Sequence, residues 1–429
     1  MRKFLGLFII VLIPSITIVL WIISLPIQNR ITNIQSSFYS LGQLLALTGI
    51  SLFAITLFLN TRLKLLENTF GGLNKVFPIH HLLGKISALL ILLHPFSLFL
   101  SNLLISFSQA ISFLFSNKSF AYFAGPIAWT ILMAIIFITL YVNIPYHLWR
   151  FIHQFTGIAF LFASYHALNT GSDVINSMLR IYLYFVIGLG ASAYFYRTIL
   201  GPIIIKKYRY RVKELNKKTA DILEVILTPE KEKVNFIAGQ FVFTKFKNQS
   251  LIEEQHPFSI ISSPKKNELS LAVKILGDFT STLPNIEKGT LVKIEGPYGK
   301  FTQTGSRKNQ IWIAGGIGIT PFLSILKTLD PGKKVDLFYS VSEKKEAIYL
   351  NELEKESKTN KNFHFFLWES KIKSHLTAKT VKKLTKGLLK NKSIFICAPI
   401  PMIKDLKTQF ADLGVSRNLI KSEEFKLAS

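Results

Sequence analysis

The sequence predicts a membrane α-helical bundle of six spans, followed by an antiparallel β-barrel and a doubly wound α/β domain. Three observations indicate this fold class. Charged residues are scarce in the first half, long uncharged windows recur there, and the second half changes from strand patterns to alternating strands and helices. We place the bundle at 1–205, the barrel at 206–307 and the α/β domain at 308–429.

Charge is distributed unevenly along the 429 residues, which carry 51 Lys and Arg against 25 Asp and Glu. Residues 1–200 hold only 11 of these basic residues and two acidic ones, Glu67 and Asp173. With 49% hydrophobic and 18% charged residues, the composition excludes a disordered chain. The single cysteine, Cys397, excludes a disulfide framework and any metal centre built from several thiolates.

Six windows in the first half contain no charged residue, and each predicts a helical span. A bilayer core of about 30 Å requires roughly 20 apolar residues in a helix. The windows are 4–29, 31–61, 86–117, 119–146, 151–172 and 181–196. The first is also compatible with a cleaved signal peptide. We favour a span because the window exceeds the usual apolar core of about 7–15 residues and no A-x-A-like cleavage site follows.

Lys and Arg residues between the spans predict the orientation, because cytoplasmic loops carry an excess of basic residues. Six spans put both termini on one side, which then carries nine basic residues against three on the other. The nine are Arg2, Lys3, Arg62, Lys64, Lys75, Arg150, Arg197, Lys206 and Lys207, and the three are Arg30, Lys118 and Arg180. Both termini are therefore expected in the cytoplasm. Topology and attraction to anionic lipid explain the net charge of +26 without a nucleic-acid partner.

Four histidines recur at matched depths in two predicted spans. His80 and His94 are 14 residues apart in the third span, and His153 and His166 are 13 apart in the fifth. Both spans run outward, so His80 and His153 share an inner level and His94 and His166 an outer level. The levels lie roughly 20 Å apart at 1.5 Å per residue. Ionisable side chains within a span are costly, and they indicate a functional site.

Two facing imidazoles at each level predict the axial metal ligands of two haem groups. Thirteen residues make about 3.6 helical turns, so His153 and His166 share a face only if the fifth span is distorted. We expect that distortion near Gly157 or Ser164. The alternatives are isolated histidines that bond to the backbone, and His81 in place of His80 as the inner ligand.

The second half begins with short alternating segments that predict an antiparallel barrel: YRYRVKEL, ILEVIL, QFVFTKF, HPFSII, LSLAVKIL and TLVKIEG. From IWIAGG onward, strands alternate with helices, which predicts a parallel sheet. The glycine turn at 315–321 follows the first of these strands. Glycines there allow backbone N–H groups to approach a pyrophosphate. The turn lacks a full G-x-G-x-x-G pattern, so an ordinary tight turn is the alternative.

Several short motifs follow one another in a fixed order across both halves. They are Arg62 with GGLNKVFPIHHLLG, the two histidine pairs, His256-Pro257-Phe258-Ser259, Lys274 with Gly277-Asp278-Phe279-Thr280, Gly296-Pro297-Tyr298-Gly299, Gly315–Pro321 and Cys397-Ala398-Pro399. In this order, the chain resembles the ferric reductase and NADPH oxidase superfamily of transmembrane flavocytochromes b. Its size is similar to that of the minimal bacterial oxidases with a ferredoxin-reductase-type FAD and NAD(P) module.

The resemblance implies an FAD site and a nicotinamide nucleotide site. The implied FAD-binding residues are His256, Pro257, Phe258, Ser259, Lys274, Gly277 and Thr280; the implied nucleotide-binding residues are Gly315, Gly316, Gly318, Thr320, Pro321 and Cys397. The Ser259 hydroxyl is expected near flavin N5, Cys397 near the nicotinamide, and Phe425 stacked on the flavin. A buried structural cysteine is the alternative for Cys397.

Two departures from the family pattern concern the nucleotide. The family sequence C-G-P is C-A-P here, at 397–399. Ser342 and Glu343 stand where an Arg often pairs with the 2′-phosphate of NADPH, although Lys344 and Lys345 could replace that Arg. The resemblance therefore leaves NADPH and NADH open as the donor.

By resemblance, the function is transfer of electrons from cytosolic NAD(P)H through FAD and two haem b groups to an acceptor outside. O2, giving superoxide, is favoured, and a ferric complex is the alternative. The implied location is the plasma membrane, with the FAD and NAD(P) domains in the cytoplasm and no obligate protein partner evident. Two other classes stay open: a six-span channel or proton transporter with a nucleotide-sensing domain, and a non-catalytic assembly partner.

Overall fold

The computed structural model describes residues 2–114, 119–170, 174, 177–247, 254–385 and 389–424. It divides into two compact units, Met1–Ile205 and Lys206–Ser429. The first unit is entirely helical in its described part, and the second contains two β-sheets.

The first unit contains helices α1 to α11, with a π-helix at Phe195–Leu200 between the last two. Their bounds are α1 Arg2–Ser24, α2 Ile27–Arg30, α3 Ile34–Leu59, α4 Lys64–Phe70, α5 Leu73–Leu103, α6 Phe107–Leu114, α7 Phe120–Tyr141, α8 Tyr146–His153, α9 Thr156–Asn169, α10 Met178–Tyr194 and α11 Gly201–Ile204. In the described residues, five helices are long and apolar enough to cross a membrane: Leu5–Ser24, Ile34–Leu59, Leu73–Leu103, Phe120–Tyr141 and Met178–Ile204.

The window predicted as the fifth span forms a shorter helix than expected. Helix α9 has 14 residues, which is about 21 Å of helix against a hydrocarbon core of about 30 Å. The helical path breaks at Gln154 and Phe155, between α8 and α9. A distortion of the kind expected is therefore present, but it comes just before Gly157 rather than at Ser164. Six crossings stay a prediction.

Local sequence explains where the central helices begin and how closely they pack. The Asn33 side chain accepts a hydrogen bond from the Ser36 amide at 2.8 Å, and the Ser36 hydroxyl accepts one from the Asn33 amide at 3.0 Å. This reciprocal cap fixes the start of α3. Helix α3 then packs along α5 and α10, while α9 packs along α7 and against α3. Gly157 permits close approach, because a Cβ there would lie 2.1 Å from the Tyr194 ring.

The second unit begins with a six-stranded antiparallel sheet. Its strands are β1 Tyr208–Lys217, β2 Ile222–Pro229, β3 Phe241–Lys247, β4 His256–Ser259, β5 Leu269–Lys274 and β6 Leu291–Tyr298, with helix α12 at Asp278–Thr282. The strand order is β4-β3-β6-β1-β2-β5. All six predicted strand segments form strands. A single bridge between Ile260 and Leu271 joins the ends of this order; a closed barrel stays a prediction.

The remaining residues form a five-stranded parallel sheet with helices between the strands. The elements are β7 Asn309–Gly315, α13 Thr320–Leu326, β8 Lys334–Val341, α14 Leu350–Thr359, β9 Phe363–Glu369, α15 Ser370–Lys373, α16 Ala378–Leu384, β10 Ser393–Cys397, α17 Ile400–Asp412 and β11 Ile420–Glu423. The order is β11-β10-β7-β8-β9. The sequence patterns did not predict strand β11.

Alternate residues of these parallel strands belong to two separate hydrophobic clusters. Trp312 and Leu337 lie in one cluster, and Ile313 and Phe338 in the other. Both faces of the sheet are therefore covered, as expected for strands with nearly continuous apolar runs. The first cluster also contains Ile261 of the antiparallel sheet region, so the two sheets of this unit share a core.

Candidate functional site

His94 and His166, the two histidines predicted at the outer level, face each other across α5 and α9. Their ring centroids are 6.3 Å apart, and the ring planes are inclined by 64°. Two in-line metal–nitrogen bonds of about 2 Å, with each nitrogen about 1 Å from its ring centre, separate such centroids by roughly 6 Å. The spacing therefore suits one metal ion held between the two rings.

Three of the four candidate ligands share one kind of support. The Nδ1 atoms of His80, His94 and His166 lie 2.9, 2.8 and 2.9 Å from the carbonyl oxygens of Thr56, Gly42 and Ala121, respectively. A carbonyl only accepts, so each Nδ1 carries the hydrogen. In a neutral imidazole, the lone pair is then on Nε2. Histidines that bind metals usually have this arrangement, because the second bond orients the ring and raises its basicity.

The inner level is less symmetrical. His153 ends α8 and lies within electrostatic range of His80 and His81. Its buried Nδ1 has no hydrogen-bond partner among the described residues. His81 is exposed, whereas His80 is half-buried and tied to α3 through Thr56. The geometry therefore favours His80 over His81 as the partner of His153.

The described residues contain no cluster of three or more His, Cys, Asp or Glu side chains suited to a metal ion. A metal in this part of the chain would have two protein ligands at each level. Haem iron needs that number, because the porphyrin supplies the other four nitrogens. The histidines present therefore fit haem better than a metal bound by protein groups alone.

In the second unit, the predicted FAD-binding strand His256–Ser259 is β4, which pairs with β3. His256 Nε2 lies 2.6 Å from a carboxylate oxygen of buried Glu254, and the His256 ring stacks on Phe279 at 4.1 Å. These contacts fix the His256 ring from two sides. Pro257 is exposed, Phe258 is half-buried and Ser259 is buried.

The other predicted FAD-binding residues follow on β5 and at the start of α12. Lys274 lies 3.5 Å from Asp221. The Thr280 hydroxyl accepts hydrogen bonds from the Leu276 and Gly277 amides at 2.8 and 3.1 Å. The Thr280 hydroxyl therefore stabilises the turn formed by residues 276–280. A Cβ at Gly277 would meet nothing within 4 Å, so this turn borders open space.

The predicted nucleotide-binding turn lies at the carboxyl end of β7, where its glycines have different roles. A Cβ on Gly315 would lie 2.8 Å from the Ala398 Cβ, and one on Gly318 only 2.0 Å from the Cys397 carbonyl oxygen. Close packing against the end of β10 and the residues directly after it therefore requires these two glycines. Gly316 is exposed, has φ of +53° and faces open space. Thr320 and Pro321 begin α13 and are buried.

Cys397 is fully buried at the end of β10, opposite Glu423 of β11. Burial raises the pKa of the Cys397 thiol well above its usual value, and the nearby Glu423 carboxylate adds to the effect. The thiol is therefore protonated near neutral pH. This environment suits the structural alternative as well as a position beside a nucleotide. Phe425, the other predicted catalytic residue of this region, lies outside the described residues.

Glu343 follows β8, where parallel-sheet nucleotide sites contact the adenosine ribose. Its carboxylate lies 2.7 Å from Lys345 Nζ and also contacts Lys371 Nζ. Hydrogen bonds from Lys345 and Lys371 lower the pKa of Glu343 to about 2. Lys345, considered as a substitute for the family Arg, is thus engaged by a carboxylate.

Sequence reasoning missed two supporting residues of these sites. Glu254 lies only two residues before His256, so its proximity to a predicted FAD-binding residue was an available signal. Trp149 lies one helical turn before His153, a spacing at which side chains on a helix meet. The carbonyl groups that contact His80, His94 and His166 belong to residues at least 24 positions away, so their role is not visible in the sequence.

Comparison with protein families matches three parts of the chain, in the order that the sequence predicts. Residues 45–164 match a ferric reductase like transmembrane component, 207–302 an FAD-binding domain, and 312–408 an oxidoreductase NAD-binding domain. The three matched domains are those expected from the resemblance to the ferric reductase and NADPH oxidase superfamily, so the predicted resemblance is confirmed. This domain set is that of an NAD(P)H-dependent oxidoreductase.

Individual proteins are similar in sequence to parts of this chain. Ferric reduction oxidase 8 of Arabidopsis thaliana is 37% identical over 138 residues, covering 28% of this chain and 19% of the relative. A superoxide-generating NADPH oxidase heavy chain of Dictyostelium discoideum is 27% identical over 161 residues, 31% of each protein. The propane 2-monooxygenase reductase component of Mycolicibacterium smegmatis is 26% identical over 234 residues, 50% of this chain and 66% of the relative. The matches span less than two thirds of each relative.

Proposed function

We propose that this chain is a transmembrane flavocytochrome b that moves electrons from cytosolic NADH or NADPH to an acceptor across the membrane. The observation that carries the proposal is the geometry of the outer histidines. His94 and His166 are spaced for a metal ion between them, and both direct Nδ1 at a carbonyl. The match to a ferric reductase like transmembrane component supports it.

When bound, FAD accepts a hydride from NAD(P)H, and two haem irons carry its electrons one at a time. His80 and His153 would hold an inner haem, and His94 and His166 would hold an outer haem, each through the nitrogen that keeps its lone pair. The carbonyls of Thr56, Gly42 and Ala121 orient three of these rings. Pre-oriented ligands reduce the entropy lost on binding.

In the second unit, Ser259 would lie beside a bound flavin, while Glu254 and Phe279 hold the neighbouring His256 ring. Lys274 and the open turn at Gly277 and Thr280 would receive the flavin pyrophosphate. The exposed Gly316, with its positive φ, would receive the pyrophosphate of the nicotinamide nucleotide.

Cys397 would lie near the nicotinamide of a bound nucleotide. The flavin-stacking role that the resemblance implies for Phe425 concerns a residue outside the described part of the chain and stays a prediction. Domains at 1–205, 206–307 and 308–429 divide these tasks between haem, FAD and nucleotide.

The proposed topology has six crossings, with α9 as the fifth. Helix α8 and the break at Gln154 and Phe155 extend the path of α9 toward the cytoplasmic side. An even number of crossings places both termini and the FAD and NAD(P) domains in the cytoplasm, in agreement with the excess of basic residues there. The proposed location is the plasma membrane.

The proposed acceptor is O2, which accepts one electron and becomes superoxide. The similarity to the superoxide-generating oxidase heavy chain of Dictyostelium discoideum supports this choice. The alternative is a ferric chelate reduced to the ferrous state, which the similarity to ferric reduction oxidase 8 supports. Superoxide dismutase-sensitive dye reduction and ferrous-chelate formation, measured side by side, distinguish the two.

One optical experiment tests the proposal. Detergent-purified protein supplied with hemin and FAD is expected to show Soret and α bands that sharpen on reduction by dithionite and by NADPH or NADH. Folded protein that retains no Soret band after unbound hemin has been removed would overturn the proposal and favour a channel or transporter. Bands that dithionite reduces while neither nucleotide does would indicate a non-catalytic partner.

A further inference from the structure

The four candidate haem ligands differ in what holds their rings. His80, His94 and His166 each direct Nδ1 at a backbone carbonyl oxygen within 2.9 Å. The buried Nδ1 of His153 has no such partner among the described residues. His153 is also the last residue of α8 and lies directly before the break in the helical path. Another contact must fix its ring.

That contact is an aromatic stack within α8. The Trp149 ring lies 4.9 Å from the His153 ring, with an angle of 19° between their planes. The two residues are four apart, so they lie on the same side of the helix. On the N-terminal side, Tyr146 stacks on Trp149 at 5.7 Å. The His153 plane therefore follows the plane of Trp149.

Trp149 is itself fixed to a neighbouring helix. Its indole N–H donates a hydrogen bond of 3.1 Å to the Thr139 hydroxyl of α7. The same hydroxyl donates its own hydrogen to the Ile135 carbonyl at 2.7 Å. Because that hydrogen is committed, the Thr139 oxygen presents a lone pair to the indole. An ordered path thus runs from α7 through Trp149 to His153.

Stacking and hydrogen bonding support a ligand differently. A hydrogen bond from Nδ1 orients the ring and also raises the basicity of Nε2. Stacking orients the ring through its face but supplies no hydrogen-bond acceptor to Nδ1. A more basic ligand stabilises ferric iron and lowers the reduction potential, since axial ligands and their hydrogen bonds tune haem iron. The outer pair has two such bonds, and the inner pair has one.

On the basis of the proposed haem sites, we propose that Trp149 is the positioning residue for His153, and that the inner haem has the higher reduction potential of the two. Trp149 fixes the angle between the His153 and His80 planes without touching the iron. The His80 and His153 pair donates less electron density to its metal than the outer pair does, because the Nδ1 of His153 has no hydrogen-bond acceptor among the described residues.

Three variants of the full-length, hemin-loaded protein test the positioning role. Trp149→Phe keeps an aromatic face but loses the indole N–H, Thr139→Val removes its acceptor, and Trp149→Leu removes the stack. Trp129→Phe, which alters another tryptophan of the membrane unit, is the matched control. The readouts are haem content, redox titration of the α bands, and the low-temperature EPR spectrum, whose g-values depend on the angle between axial imidazole planes.

Trp149→Phe and Thr139→Val are expected to keep both haems but to shift the EPR signal and midpoint potential of one haem only. Trp149→Leu is expected to lower the occupancy of that haem, and Trp129→Phe to change neither signal. In a His94→Leu background, the haem that remains should titrate at the higher of the two wild-type potentials.

Two outcomes would overturn the inference while leaving the proposed function intact. One is two wild-type haem signals that none of the Trp149 and Thr139 variants moves. The other is a remaining haem in His94→Leu that titrates at the lower potential. A wild-type protein that binds no haem contradicts the proposed function instead, so the two failures are distinguishable.

Discussion

The two units hold their candidate functional side chains in different ways. In the membrane unit, carbonyls 24, 52 and 45 residues away in the chain hold His80, His94 and His166. In the second unit, Glu254 holds His256 from two residues away, and Thr280 closes a turn with Gly277 from three residues away. The first kind of site depends on how helices pack, and the second on short continuous segments. Lesions in the two units should therefore have separable effects.

The largest expected effect comes from removing an outer ligand. His94→Leu is expected to eliminate one haem and to lower electron transfer across the membrane by more than about 100-fold, since even losing a ligand's supporting partner costs about 10–100-fold. NAD(P)H-driven reduction of a soluble dye by the flavin should persist. Haem content and both activities are measured on one preparation.

A parallel loss of dye reduction in that variant would show that His94 maintains the fold of both units. His81→Leu is the matched control, because His81 is the exposed neighbour of the preferred inner ligand. It is expected to retain both haems.

A smaller effect is expected where packing orients a ligand. A Cβ on Gly125 would lie 2.8 Å from Cε1 and Nδ1 of His166. Gly125→Ala should therefore push the His166 ring away from the Ala121 carbonyl and weaken haem binding at the outer level by roughly tenfold. Hemin titration followed at the Soret band measures this change.

Gly188→Ala is the control for this substitution, because a Cβ there meets nothing within 4 Å. It should bind hemin as the wild type does. Equal hemin affinity for Gly125→Ala and the wild type would show that the His166 ring tolerates displacement, and would weaken the contrast between the units.

The smallest effect is expected in the second unit, where an exposed ion pair is altered. Glu343→Ala releases Lys345 and Lys371, which can then contact a 2′-phosphate. The kcat/KM for NADPH relative to NADH is expected to rise by at most about fivefold, because exposed ion pairs contribute little. The haem spectrum should not change.

Glu346→Ala removes the same charge from the same loop, where Glu346 acts on Lys345 only through space and less strongly than Glu343 does. Its NADPH to NADH ratio should match that of the wild type. Identical ratios for the two variants would mean that Glu343 does not lie near the ribose.

Sequence predicted much of this architecture because its signals are local or periodic. The six strands of the antiparallel sheet are visible in the sequence as segments in which apolar and polar residues alternate with a period of two. The parallel sheet is visible as strand segments that alternate with helical segments. The similar spacings of His80 from His94 and of His153 from His166 predicted that His94 and His166 lie at the same depth. The structure brings these two rings together. Four-residue β11 escaped prediction because Ile420–Glu423 has too few residues to show a period.

Other features depend on contacts that the sequence does not display. A backbone carbonyl has no residue-type signature, so Gly42 and Ala121 gave no sign of supporting a histidine. The glycine pattern predicts Gly318 as a phosphate-binding residue. In the structure, the absence of a side chain at Gly318 also allows the Cys397 carbonyl oxygen to pack against it. The shortness of α9 is hidden in the sequence because residues 151–172 carry no charge, although the helix covers only part of that window.

Strand β11 brings the edge of the parallel sheet beside the proposed nucleotide site. It lies at the sheet edge, parallel to β10, with Glu423 opposite Cys397. Carboxyl ends of parallel strands meet at one rim, so Glu423 shares a rim with the glycine turn that follows β7. A bulky label attached at this end of β11 would lie at the rim where the dinucleotide is proposed to dock. Labels for this unit therefore belong on the opposite rim of the sheet.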